Sequence, residues 1–210
     1  MRSPSPALLG AFSMPALTYF FTASLALQFL RHDYDWIGDP LSFYLIGPDS
    51  GWLILGFFAL AAGILGVGLG LHASVQVTPL RSISLWLFMT AALATCVVAL
   101  AHTDLPGGPK PTPHGMLHYA AASVAFLGVT LAMLSQSWCL RSDPRWQRHF
   151  RKAFGLAVLT FVALAVYVLW RALPRGISEK IVIMLIVLWL LYASRWLMQT
   201  RLPQSDSSRP

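Results

Sequence analysis

The sequence places four of its six histidines, His32, His102, His114 and His118, in or beside two connections between long apolar runs. Five of its eight acidic residues, Asp33, Asp35, Asp39, Asp49 and Asp104, fall in the same two connections. Imidazole and carboxylate are the side chains that ligate divalent metals and move protons near neutral pH. A loop needs polarity, but it does not need this concentration of both groups facing one compartment.

The second of these connections, residues 101–118, is the sharper. Thr112 followed by Pro113 reads as a helix start: a hydroxyl cap, then proline where no N–H is required. A helix beginning there puts His114 and His118 one turn apart on one face. Two imidazoles at that spacing could chelate a divalent metal such as zinc, with His102 as a third ligand and Asp104 as a fourth ligand or general base. The positive end of a helix also favours neutral imidazole, the form that binds metal. The same free N–H groups could instead hold an anion such as a lipid phosphate. The plainest reading is a hydrogen-bonded polar cluster that closes this end of the protein.

The first connection, residues 31–49, contains His32, Asp33 and Asp35, which are expected to fold over the Asp104–His118 cluster or, more simply, to be solvated. Asp39-Pro40 signals a helix start and Gly47-Pro48 its end, so a short interfacial helix over residues 40–46 is expected, with its aromatic residues at headgroup depth. Glu179 and Lys180, adjacent at a helix end, read as solvated. His72 and His149 read as interfacial.

The elements that position these groups follow from composition. Of 210 residues, 56% are hydrophobic and 11% charged, against about 25% charged in typical globular chains. No soluble domain hides that much apolar surface. Six segments approach the roughly 20 residues of helix that span a bilayer: residues 7–30, 51–71, 82–101, 113–140, 150–170 and 181–198. The expected fold is therefore an all-α integral membrane bundle of six transmembrane helices. Residues 1–203 form a single domain and residues 204–210 a disordered polar tail. Trp36, Trp52, Trp86, Trp138, Trp170 and Trp196 fall near helix ends, as an interfacial belt requires.

Orientation follows from the basic residues. Arg2, Arg81, Arg141, Arg145, Arg148, Arg151, Lys152, Arg195, Arg201 and Arg209 share one side, whereas Arg31, Lys110, Arg171, Arg175 and Lys180 share the other. The richer side is assigned to the cytoplasm, so both termini lie inside and the His/Asp connections outside. A cleavable signal peptide is the competing reading of helix one, from Arg2, the apolar run and Ser24-Leu25-Ala26; the length of the run and Pro15 oppose it. The net charge of +7 sits in short connections, so its expected partners are anionic lipid headgroups rather than nucleic acid. Cys96 and Cys139 lie at different depths and suggest neither a disulfide nor a metal site. Ala62, Gly66 and Gly70 make a small-residue stripe suited to close helix packing, within the bundle or in a dimer. Ionisable groups are nearly absent from helix centres, which disfavours a pump or coupled transporter.

Asp104-Leu105-Pro106 after the third span, the His114-Gly115-Met116-Leu117-His118 run opening the fourth, and the outer segment Asp39-Pro40-Leu41-Ser42 together resemble the bacterial membrane family known as domain of unknown function 998. The likeness covers most of the chain and departs from the family pattern at Ala101-His102-Thr103-Asp104. The resemblance implies six spans and draws attention to Asp104, His114 and His118, but it brings no activity with it. Two functions follow as expectations for a multi-pass inner-membrane protein. One is metal-assisted hydrolysis of a lipid or lipid-linked substrate at an outer His/Asp site. The other is non-catalytic binding of lipid, or assistance to a protein partner.

Overall fold

A computed structural model describes residues 5–107 and 111–200. The tail at 204–210 and the basic residues Arg2, Lys110, Arg201 and Arg209 lie outside the described residues. Six helices follow one another: α1 (Pro6–Leu30), α2 (Ser50–Ser74), α3 (Pro79–Leu100), α4 (Pro113–Ser142), α5 (Gln147–Leu169) and α6 (Arg175–Met198). A five-residue 3-10 helix, Leu41–Leu45, lies between α1 and α2. No strand occurs among the described residues, and all six helices are long and apolar enough to cross a membrane. The chain is a multi-pass membrane protein.

Local sequence sets several boundaries. Ser5-Pro6, Thr78-Pro79 and Thr112-Pro113 start α1, α3 and α4 in the same way: a hydroxyl oxygen accepts a helical N–H and proline takes the first position. Helix α6 begins six residues before the expected Ile181, at Arg175 behind Pro174, and has no side-chain cap. Its first amides are satisfied from outside: Gly176 N–H donates to Gly38 O at 3.0 Å and Ile177 N–H to Ile37 O at 2.8 Å.

Successive helices pack side by side into a ring that α6 closes against α1, with α2 also touching α6 across the bundle. One end bears the α2–α3 and α4–α5 connections and the described termini, and is termed the terminal end. The opposite loop end bears the other three connections. Phe20 meets Phe57 edge-on at 5.3 Å, and Phe88 lies 6.0 Å from Trp189. Trp189 Nε1–H donates to Ala153 O at 3.0 Å, joining α6 to α5. The small-residue stripe is used inside the bundle: a Cβ on Gly66 would strike Ser13 of α1, and one on Gly70 would strike Leu197 of α6. Outward, α5 exposes Leu159, Phe161, Val162 and Leu169, a surface that acyl chains rather than water would cover.

At the terminal end Asp143 ties two connections together. Only 2% exposed, it accepts from Gln76 N–H at 2.9 Å and from the Arg145 amide and guanidinium, while Arg145 reaches Ser74 O at 2.8 Å. Five of the belt tryptophans are exposed, but Trp196 is buried at 8%.

Candidate functional site

The α3–α4 connection brings part of the expected cluster together. Thr112 donates to Asp104 twice, from its amide at 3.1 Å and from its hydroxyl at 2.5 Å. The same hydroxyl accepts the Gly115 N–H at 3.0 Å. Asp104 thus orients the cap of α4 and places negative charge at a positive helix end. Gly115 leaves room for it, since a Cβ there would strike the carboxylate.

His118 is 3% exposed, and its Nδ1 lies 2.8 Å from Ala101 O. A carbonyl only accepts, so Nδ1 carries the proton and Nε2 keeps the lone pair. That bond joins the residue capping the end of α3 to the second turn of α4. His102 and His114 are exposed, their rings edge-on to one another at a centroid distance of 6.5 Å and an angle of 71°. Among the described residues no three His, Cys, Asp or Glu side chains come together as a metal-holding group. As they stand, His102, His114, His118 and Asp104 are neighbours in a capped, hydrogen-bonded junction and do not fit a preformed three-ligand centre.

The first connection is organised separately. Arg31, 5% exposed, grips Asp33 through Nε at 2.7 Å and Nη2 at 2.6 Å, and donates to Ile46 O and Pro48 O. The hydrogen bonds from Arg31 hold the Asp33 carboxyl below the usual carboxylate range. Asp35 accepts the amides of Ile37 and Gly38, both at 3.0 Å. His32 is exposed. The hydrogen bonds of Asp33 and Asp35 stay in their own loop, and that loop docks on α6.

The docking depends on a residue that reads differently in sequence. Glu179 is buried at 8% exposure, not solvated. Its carboxylate accepts from Leu41 N–H at 3.2 Å and Tyr167 Oη–H at 3.3 Å. Its neighbour Lys180 donates to Trp36 O and to Asp39 O, and its ammonium lies 5.5 Å from the Tyr44 ring centre. The loop aromatics are drawn in with it: Phe43 and Tyr44 are buried against the bundle instead of resting at its surface, and burial pushes the Tyr44 phenol up. The signal for Glu179 was Pro174. Read as a helix start, it sets Glu179 one turn inside α6, at the edge of the apolar run.

The family model described as "Protein of unknown function (DUF998)" matches residues 15–196, from within α1 to near the end of α6. No curated protein and no solved structure matches the chain.

Proposed function

The chain belongs to the DUF998 family, and from that premise we propose a non-catalytic, lipid-binding protein of a bacterial inner membrane, with both termini cytoplasmic. The observation that supports this reading is the commitment of the polar cluster to its own backbone. Asp104 is engaged by Thr112 through both oxygens, and His118 is buried on the Ala101 carbonyl. Polar groups bound in this way close an end of the bundle, while the exposed apolar faces of its helices offer surface to lipid. The excess of Arg and Lys at the terminal end supports the orientation, and the loop-end cluster would then face the periplasm.

Metal-assisted hydrolysis is the competing reading, favoured by the proximity of the exposed His102 and His114 rings. It would require Asp104 to turn from Thr112 and His118 to present Nε2 toward that pair.

Elemental analysis and lipid mass spectrometry of purified wild type and of the His114→Ala plus His118→Ala variant separate the two. The lipid reading expects retained phospholipid and no stoichiometric metal in either protein. One equivalent of metal in the wild type, lost in the variant, would establish a metal site at these histidines and overturn the reading of a closed polar cluster. A wild type that retains no phospholipid would end the lipid reading.

A further inference from the structure

At the terminal end, remote from the His/Asp cluster, the first turns of α5 and the last turns of α6 border an open groove of about 380 Å³. Three cations line it: Arg148 and Lys152 from α5 and Arg195 from α6. No carboxylate lines it among the described residues, whose ion pairs are Arg31–Asp33 and Arg145–Asp143. Three like charges brought to one recess raise each other's energy unless an anion joins them.

The wall between them is built rather than incidental. The His149 ring stacks on Trp196 at 4.5 Å and 20°, and Trp196 stacks in turn on Tyr192 at 6.0 Å and 18°. Arg148 Nε–H donates to His149 Nε2 at 3.0 Å. His149 is thereby held with its lone pair toward Arg148 and its proton on Nδ1, leaving that nitrogen as a further donor. Trp196, buried beside Arg195, also lines the groove. Amphipathic aromatics with cations at helix ends are the composition of a membrane's headgroup layer.

Resting on the lipid-binding reading above, we propose that this groove is a phosphate site that takes the headgroup of an anionic phospholipid. Arginine offers paired N–H donors to phosphate oxygens and lysine a point charge. The exposed apolar side of α5, adjoining the groove, would carry the acyl chains. The chemistry recognised is the phosphate anion, which a lipid or a soluble phosphate could supply.

The full chain in zwitterionic detergent is titrated with short-chain phosphatidylglycerol, short-chain phosphatidylcholine and inorganic phosphate. Wild type is compared with Arg148→Gln plus Arg195→Gln and with a charge-matched control, Arg141→Gln plus Arg151→Gln, which removes two cations from the same end outside the groove. Circular dichroism verifies that each variant is folded. The expected result is preferential binding of phosphatidylglycerol, weakened at least about tenfold by the groove pair and less than about twofold by the control. Equal weakening by both pairs would reduce the effect to a diffuse surface potential and overturn the site. Inorganic phosphate competing at the same concentration would overturn the lipid as its source. If the groove pair binds like wild type while purified protein still retains phospholipid, the groove fails and the lipid-binding reading stands. If no phospholipid is retained at all, that reading fails first.

Discussion

The carboxylate of Glu179 accepts the backbone N–H of Leu41 at 3.2 Å, across 138 residues of sequence. This bond, with the α6 amides of Gly176 and Ile177 donating to the carbonyls of Gly38 and Ile37, latches the first loop onto the last helix.

Removing the carboxylate leaves the buried Leu41 amide and the half-buried Tyr167 hydroxyl without their acceptor. Each such orphan costs about 1–3 kcal/mol. Glu179→Ala is therefore expected to destabilise the protein by about 2–4 kcal/mol, and Glu179→Gln, which keeps an acceptor, by about 1 kcal/mol. Denaturant unfolding in detergent micelles measures both. An alanine variant as stable as wild type would show that the latch contributes nothing.

The Asp104–Thr112 junction makes a different prediction from the metal reading. Thr112→Ala removes the α4 cap and should cost about 1–2 kcal/mol. Asp104→Ala acts on the same network, so the double variant should fall short of the sum by about 0.5 kcal/mol or more. His114→Ala, at an exposed position, should stay within about 0.5 kcal/mol. A double-mutant cycle by thermal unfolding reads these values, and strict additivity would contradict a shared network.

Asp143 predicts a pH dependence. Burial pushes its carboxyl up, but hydrogen bonds from the Arg145 guanidinium, the Arg145 amide and the Gln76 amide more than offset this and hold it below its ordinary 3.8. A carboxyl whose pKa is lower folded than unfolded contributes stability that is fully present above the unfolded value and lost as pH falls through the folded one. Wild type should thus lose stability below about pH 4, a window that Asp33 shares. Asp143→Asn should be less stable than wild type at pH 7 and flatter across the acid range. Equal slopes for the two proteins would remove Asp143 from the account.

The six spans were legible because their signal is summed over some twenty residues each, and no single position decides it. The start of α4 was legible because Thr112-Pro113 acts locally. The proximity of His102, His114 and His118 followed from that start, but not their roles. Spacing puts His114 and His118 on one face; it does not say that α3 ends close enough for the Ala101 carbonyl to take His118 while His114 stays exposed. Pro174 sets Glu179 inside α6, but its partners were illegible for the same reason at longer range. Beside Lys180, at what looked like a helix end, it had the appearance of a surface charge, and only the arrival of the first loop buries it. Phe43 and Tyr44 were misplaced by the same contact. Trp196 departs from the exposed belt because His149 of the neighbouring helix covers it.

Because the loop between α1 and α2 is completed by α6, part of its backbone lacks its protein partners until the ribosome has made α6. At typical elongation rates those 138 residues represent a delay on the order of 10 s. During that interval the first connection has to wait in water or headgroups with its polar groups hydrated. The ring therefore closes at the seam between α1 and α6 only once α6 is made, and a chain halted before α6 would present an open edge along α1 and α2 to whatever insertion machinery or neighbouring protein stood nearby.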